Sequence, residues 1–298
     1  MMLLLFQKMM NLNETLSDFF CLAIYIHMKL FILLFFFTIS NSSSAFFLNN
    51  IFTFFRNRNQ ETIQKKCSCP YYYNKKLIIL TPGGLYGFYT LGVSSFIKDH
   101  YNLTDCVFSG SSAGSWNSLF LSYQGDKNIT QNMLQLISHV QNQSSIHKIQ
   151  TSMKCFLLCN FNTSDFDLTK SSLGVTTFTG LFSFKLILYT HFYDLEDFIN
   201  CCMASSHIPF ISGKLFFRYK KLLSFDGGFS RYPYQKYPIP SLVISPDMWN
   251  SSYTNSSGPF GSLTLSKNKP VNFTELFIQG YNDTKNNKYI LDSIFTPL

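Results

Sequence analysis

The residues best placed to do chemistry in this sequence are a serine and an aspartate, each set among glycines. Ser112 is the centre of Gly110-Ser111-Ser112-Ala113-Gly114, a G-x-S-x-G pattern. Its small flanking residues permit a strained turn that lifts the serine Oγ clear of the backbone, at the positive end of a following helix. Asp226 precedes Gly227 and Gly228. Asp-Gly-Gly alone is typical of a turn, but a carboxylate can also serve as the base that a serine nucleophile needs.

A histidine base is the alternative. In α/β-hydrolases the catalytic residues follow the chain order serine, acid, histidine. The last histidine here is His207, so a triad would have to combine it with Asp194 or Glu196, which lie just upstream. The 91 residues that follow His207 would then hold no catalytic residue. We therefore expect Asp226 to be the base.

The segments around both residues predict alternating strands and helices. Leu77–Leu80 is an apolar run of strand length that ends at a Pro-Gly-Gly turn signal, and Cys106–Phe108 is a second short strand that leads into Gly110. Phe88, Leu91, Gly92, Ser95 and Phe96 share one helix face. Trp116, Leu119, Phe120 and Tyr123 mark another helix. Strand, helix, strand, helix at this spacing predicts βαβ units, an α/β fold and a mostly parallel sheet.

The rest of the chain is less regular. Asp194 is a suitable N-cap for a helix over Leu195–Ser205, with Glu196 and Asp197 near its positive end. The other predicted elements are helices over Met133–Val140 and Asn272–Tyr281 and strands over Val175–Phe178, Lys214–Tyr219, Leu222–Phe225 and Leu242–Ile244.

In order and in context, these motifs resemble the patatin-like phospholipase family. Its pattern is a G-x-G-x-x-G loop, a G-x-S-x-G turn and a D-G-G/A aspartate, matched by Pro82–Gly87, Gly110–Gly114 and Asp226–Gly228. Ala204–Phe210 resembles the family segment that precedes the aspartate. The similarity covers roughly a third of the chain. It implies a three-layer α/β/α domain with a mostly parallel central sheet over residues 76–298.

The resemblance also implies a lipid acyl hydrolase with a Ser112/Asp226 dyad, an acyl-enzyme intermediate, and no metal or other cofactor. The N–H groups of Gly83 and Gly84, with Leu85, would form the oxyanion hole, supported by Gly87 in the same loop. Two departures bear on activity: Pro82 takes the first glycine position, and Tyr86 stands where many members carry Arg or Lys. The alternative is a catalytically degenerate, membrane-associated glycoprotein that keeps the fold as an interaction module.

The composition and the net charge limit the class of protein and the class of binding partner. The 298 residues carry 24 Lys and Arg against 16 Asp and Glu, a net charge of +8, and 17% are aromatic. This excludes disorder, collagen-like sequence and a small disulfide scaffold. Positive charge favours an anionic partner, and without a long Lys/Arg run we expect lipid rather than nucleic acid. Lys214, Arg218, Lys220 and Lys221, interleaved with Phe216, Phe217 and Tyr219, predict either a lipid-facing edge or a solvated strand edge. The oligomeric state stays open.

The first 45 residues predict a targeting segment. Met28-Lys29, the apolar run Leu30–Ile39 and Ser43-Ser44-Ala45 fit a secretory signal. A retained anchor over Phe19–Ile39 and a buried core helix remain alternatives. Residues 46–75 predict a connector. Ten N-x-S/T sequons, about twice the chance number, also indicate the secretory pathway or a membrane. The cysteines predict buried thiols or one or two disulfides, and metal binding by Cys155 and Cys159 is not expected.

Overall fold

The computed structural model describes residues 75–180, 183–209, 211–229, 239–249 and 271–298. The strands are β1 (Lys76–Leu80), β2 (Cys106–Ser111), β3 (Ser171–Gly180), β4 (Ser183–Tyr189), β5 (Phe217–Tyr219), β6 (Leu222–Phe225) and β7 (Leu242–Ile244). The α-helices are α1 (Gly87–His100), α2 (Ala113–Leu121), α3 (Ile129–Val140), α4 (Ile146–Asn160), α5 (Leu195–Ser205), α6 (Phe273–Asn286) and α7 (Lys288–Asp292). Short 3₁₀ helices cover Gly84–Tyr86, Thr163–Asp165, Leu168–Lys170 and Gly227–Phe229.

The described strands form one mixed sheet in the order β5-β6-β3-β2-β1-β7, with β4 also paired to β3. Four neighbouring strands, β3, β2, β1 and β7, are parallel. The remaining strands, β4, β6 and β5, join by antiparallel pairing. The predicted α/β fold with a mostly parallel central sheet is therefore confirmed, and the arrangement is compatible with three α/β/α layers.

Strand β3 is shared by two strands that meet end to end. β4 pairs along one edge of β3 from Leu173 onwards. Both β2 and β6 overlap this stretch, so both must lie on the opposite edge. β2 ends with Ser111 opposite Gly174, and the antiparallel β6 ends with Phe225 opposite Thr176. The residues that follow these two strands therefore leave the sheet at the same point.

Helix packing follows the apolar faces. The core includes Ile78, Leu80, Phe108 and Leu173 on the sheet, with Phe198 on α5, all fully or almost fully buried. Helix α1 lies against α6, α2 against β1 and β2, and α5 against β3. The α1–α6 crossing is close: a Cβ atom on Gly92 would lie 2.0 Å from the Phe277 carbonyl oxygen.

Several local predictions are confirmed and some are wrong. Helix α5 has the predicted bounds, and the Asp194 side chain caps it by accepting the Asp197 N–H at 2.7 Å. The predicted strand over Lys214–Tyr219 is too long, because only Phe217–Tyr219 pair with β6, opposite Leu222–Ser224. Helix α4 and strand β4 were not predicted.

The predicted leader and nearly all of the predicted connector fall on residues 1–74, outside the described residues. None of the helices that the structure describes is both long enough and apolar enough to cross a bilayer. The five described cysteines are free thiols: Cys106, Cys201 and Cys202 are buried, and Cys155 and Cys159 are exposed.

Candidate active site

Ser112 and Asp226 meet where β2 and β6 end on β3. The Ser112 hydroxyl donates a hydrogen bond to Asp226 Oδ2 at 2.6 Å. Both residues are only 5% exposed. The contact joins residues that are 114 positions apart in the chain. The two motifs identified in the sequence are thus brought together as a pair with direct access to a shared proton.

The turn at Ser112 has the strain expected of a nucleophile elbow. Ser112 has φ 54° and ψ −125°, a backbone conformation that L-residues rarely adopt. Helix α2 begins at the next residue and lies close to the sheet, because a Cβ atom on Gly114 would be 2.1 Å from the Leu80 carbonyl oxygen. The small residues of the motif therefore let α2 pack close behind the serine.

The remaining motif glycines occupy equally tight positions. A Cβ atom would lie 2.6 Å from Ala113 Cβ at Gly87, 2.3 Å from Gly114 O at Gly110, 2.2 Å from Gly174 O at Gly227, and 2.9 Å from Asp226 Oδ1 at Gly228. At Gly227 the obstacle is backbone, which cannot move aside. Glycine there allows the chain to turn away directly after the aspartate.

Asp226 is held by its backbone and by both carboxylate oxygens. Its N–H donates to the His207 carbonyl at 2.8 Å, and its Oδ1 accepts the Gly228 N–H at 2.7 Å. Burial raises the pKa of this carboxyl to about 6, whereas the hydrogen bonds from Ser112 and Gly228 act in the opposite direction. A pKa near 6 leaves the group mostly ionised at neutral pH, as a proton acceptor requires.

The predicted oxyanion loop lies beside the serine. Gly84 has φ +54° and begins the 3₁₀ turn Gly84–Tyr86. Within the described residues, no hydrogen bond uses the N–H groups of Gly83, Gly84 or Leu85. Gly84 and Leu85 line the same cavity as Ser112, whereas a Cβ atom on Gly83 would meet the Pro246 ring at 2.9 Å. Two of the three predicted donors therefore lie on the cavity wall.

An apolar cavity opens at Ser112. It has an empty volume of about 890 Å³, which includes the open space at its mouth. Its wall is formed mainly by apolar side chains from four helices, among them Phe88 and Leu91 on α1, Phe120 on α2, Met133 and Leu136 on α3, and Ile149 on α4. This cavity wall could not be predicted from the sequence, because helix α4 was not predicted.

Two further residues at the junction were also missed. Ser205 Oγ accepts the Ser112 N–H at 2.9 Å and donates to the Gly174 carbonyl at 2.6 Å. Ser205 ends the predicted helix α5, and Gly174 lies in β3 just before the predicted extended segment. Ser205 lies in the Ala204–Phe210 segment that resembles the family pattern, but the sequence assigned no role to either residue. The contact between them follows only from the meeting of β2, β6 and α5.

The alternative histidine base is engaged elsewhere. His207 is buried, and its Nε2 lies 2.9 Å from the Lys214 carbonyl oxygen. Burial lowers the pKa of this imidazole. The two acids proposed for it are also occupied: Asp194 caps α5, and Glu196 pairs with Lys154 at 2.7 Å. The geometry thus favours Asp226 over His207 as the partner of Ser112.

The basic edge predicted before Asp226 is only partly free to bind a lipid surface. Lys214, Arg218 and Lys221 are exposed. Lys220 Nζ instead lies 3.2 Å from Asp197 Oδ2 and faces the Tyr219 ring. Over the part of the chain that the structure describes, no three His, Cys, Asp or Glu side chains form a group that could hold a metal ion.

No protein-family model matches this sequence, and no curated protein matches it either. The function therefore has to be inferred from the residues and from their geometry.

Proposed function

We propose that this protein is a serine acyl hydrolase of the patatin-like type, which cleaves acyl esters of membrane lipids with Ser112 as nucleophile and Asp226 as base. The observation that carries the proposal is the 2.6 Å hydrogen bond between the two side chains at an apolar cavity. The strained elbow at Ser112 and the buried carboxylate with a raised pKa support it, because both features carry a cost in stability.

The reaction proceeds in two steps. Ser112 Oγ attacks the ester carbonyl carbon while its proton passes to Asp226 Oδ2, and the carbonyl oxygen becomes an oxyanion. The N–H groups of Gly84 and Leu85 stabilise this oxyanion, each contributing about 3 to 4 kcal/mol. When the tetrahedral intermediate collapses, Asp226 returns the proton to the leaving alcohol. Water then attacks the acyl carbonyl carbon while its proton passes to Asp226. Collapse of this second tetrahedral intermediate breaks the bond to Ser112 Oγ, releases the fatty acid and returns the proton to Ser112.

The substrate class follows from the cavity. Its walls are mainly apolar, so they stabilise a hydrocarbon chain and offer little to a charged or sugar-like group. The oxyanion loop and the serine line the same cavity, which supports a pose with the carbonyl of a bound acyl chain next to Ser112. A fatty acyl ester of a glycerolipid meets both requirements.

A fluorophosphonate probe tests the proposal, because it reacts covalently with activated serines. We expect the purified full chain to be labelled and Ser112→Ala to remain unlabelled. Asp226→Asn should be labelled at least about 100-fold more slowly, since general-base catalysis is worth about 10² to 10⁴ in rate. His207→Ala should retain labelling if it folds.

Mass spectrometry of mixed phospholipids incubated with the protein identifies the product. We expect free fatty acid and lysophospholipid with wild type and neither with Ser112→Ala. A folded wild type that takes no label would contradict the enzyme proposal and favour the noncatalytic interaction module. Labelling without lipid products would support a serine hydrolase but would contradict the proposed lipid substrate.

A further inference from the structure

Strand β2 must leave the sheet at Ser112 without leaving polar groups unpaired. The ladder between β2 and β3 ends at the pair Ser111 and Gly174. Beyond it the chain turns sharply, with φ 54° at Ser112. The Ser112 N–H is therefore buried at a point where the ladder cannot accept it, and an unpaired buried N–H is costly.

One hydroxyl fills this gap. Ser205 Oγ accepts the Ser112 N–H at 2.9 Å and donates its own proton to the Gly174 carbonyl at 2.6 Å. The only other side-chain hydrogen bond to that carbonyl, among the described residues, comes from Ser111 Oγ at 3.5 Å, which is at the limit of a hydrogen bond. We infer that Ser205 is a positioning residue, whose hydroxyl relays the hydrogen bond between Ser112 and β3 and so holds the nucleophile turn in its strained conformation.

The next two residues along the chain fix Ser205. The Ser206 hydroxyl donates to the Cys202 carbonyl and accepts hydrogen bonds from Trp116 Nε1 at 3.0 Å and Gln150 Nε2 at 2.9 Å. The His207 carbonyl accepts the Asp226 N–H. Ser205, Ser206 and His207 thus contact the nucleophile, the cavity wall and the aspartate in turn. This arrangement leaves Ser205 little freedom to move away from Ser112.

A positioning role predicts a loss of catalysis without a loss of binding, which a purely structural role would not predict. Ser205→Ala removes the acceptor of the Ser112 N–H but leaves the Ser112 hydroxyl, Asp226 and the cavity in place. The acyl chain should still bind, while Ser112 loses its fixed orientation. The kinetic part of this inference rests on the proposed hydrolase function, and the amide part does not.

Amide hydrogen exchange at Ser112, read by fragmentation mass spectrometry on the full chain, tests the role without any substrate. We expect Ser205→Ala to accelerate exchange at this amide by about 10-fold or more, because its only described acceptor is gone. Ser94→Ala is the matched control, since the Ser94 hydroxyl is equally buried but donates to the Thr90 carbonyl within α1. It should leave Ser112 exchange unchanged.

Ester hydrolysis supplies the second readout. With p-nitrophenyl butyrate we expect Ser205→Ala to lower kcat by about 10- to 100-fold and to change KM by less than about threefold. Ser205→Thr keeps the hydroxyl and should recover most of kcat.

The outcomes separate the two proposals. Wild type that neither hydrolyses the ester nor takes the fluorophosphonate label would overturn the proposed function, while the exchange measurement would still decide the role of Ser205. If the Ser112 amide exchanges at the wild-type rate in the Ser205→Ala variant, the positioning role is overturned, even when the enzyme is active. A folded Ser205→Thr as slow as Ser205→Ala would also contradict it.

Discussion

A buried carboxylate must meet two opposing requirements before it can act as a base. Burial favours the neutral form of Asp226, whereas hydrogen bonds from Ser112 and Gly228 favour the charged form. Burial is the larger effect, so the pKa rises to about 6 and yet stays below neutral pH. A base with this pKa is ionised when it must accept the serine proton and can return that proton readily to a leaving alcohol.

The pH dependence of hydrolysis should report this pKa. We expect kcat/KM for an uncharged ester to rise from about pH 5 to pH 7 with a midpoint near 6, because only ionised Asp226 accepts a proton. Above pH 7 the rate should level off. Stopped-flow or plate-based hydrolysis of p-nitrophenyl butyrate would show this, and a flat profile down to pH 4 would exclude Asp226 as the base.

The same pKa predicts a pH-dependent stability. The carboxyl keeps its proton up to about pH 6 in the folded state but only to about 3.9 in the unfolded chain. The folded state thus binds more protons in this window, so wild-type stability falls as pH rises through it. The free energy of unfolding of Asp226→Asn, taken relative to that of wild type, should therefore rise by on the order of 2 kcal/mol between pH 4 and pH 7. Urea unfolding of both proteins measures the difference, and parallel curves would contradict it.

At the scale of elements, the hairpin that carries Asp226 is anchored by an unusual lysine. Its two turn residues, Lys220 and Lys221, have φ 45° and 68°, as a type I′ turn requires, although Asn and Gly are the usual residues there. Lys220 Nζ lies 5.3 to 5.9 Å from the ring centres of Tyr189, Phe192, Tyr193 and Tyr219, and it pairs with Asp197 on α5. These contacts offset the strain at Lys220. No such contact is found for Lys221 among the described residues.

Glycine substitutions in this turn should therefore have opposite effects. Lys221→Gly relieves the positive φ and should stabilise the protein by about 0.5 to 1 kcal/mol. Lys220→Gly relieves the same strain but removes the cation–π contacts and the ion pair, so it should destabilise by up to about 1 kcal/mol. Chemical denaturation of the two variants and of wild type would show whether each substitution raises or lowers the free energy of unfolding. Equal shifts in one direction would show that the aromatic rings do not hold Lys220.

Helix α3 should set the length of acyl chain that the cavity accepts. Met133 lies on its inner face and lines the cavity, whereas Gln135 on the same helix is exposed. A tryptophan at residue 133 fills part of the empty volume. We expect Met133→Trp to reduce kcat/KM for a palmitoyl ester by about 10-fold or more, with little change for a butyryl ester. Gln135→Trp is the control and should have the wild-type kcat/KM for both esters. If Met133→Trp lowers kcat/KM equally for both esters, this role of Met133 is contradicted.

The elements predicted from the sequence were those with local signals. Helix α5 has an Asp N-cap and an acidic first turn. Strand β2 runs into the G-x-S-x-G motif and β6 runs into Asp-Gly-Gly, so Ser112 and Asp226 could both be identified. The buried residues of helix α4, Ile149, Gln150 and Leu157, follow no strong stripe, so its sequence does not indicate a helix face. The end-to-end meeting of β2 and β6 depends on long-range register, which no short segment encodes. Ser205 lies in a segment that resembles the family pattern, but its contacts with Ser112 and Gly174 follow from that register and could not be predicted. The cavity wall depends on α4, which was not predicted.

At the scale of the whole molecule, the sequons and the predicted leader point to the same compartment. Six of the sequon asparagines lie in the described ranges, at Asn102, Asn128, Asn142, Asn162, Asn272 and Asn282, and all six are exposed. Asn128 and Asn272 also cap α3 and α6 through their Oδ1 atoms, which leaves the Nδ2 atom of each amide for attachment of a glycan. Among the residues that the structure describes, these six sites are therefore exposed for modification.

If residues 1–45 direct the chain into the secretory pathway, these exposed sequons should be glycosylated, because N-glycans are added to surface Asn-x-Ser/Thr sites there. We expect protein expressed in a eukaryotic host to lose mass on treatment with an N-glycosidase, and mass spectrometry to find modified asparagines among the six. A variant that lacks residues 1–45 should show no such loss. Unmodified protein from the full chain would reject the secretory interpretation, whereas it would leave the Ser112/Asp226 chemistry untouched, since Asn102, Asn142 and Asn162 lie on the surface and the dyad is buried.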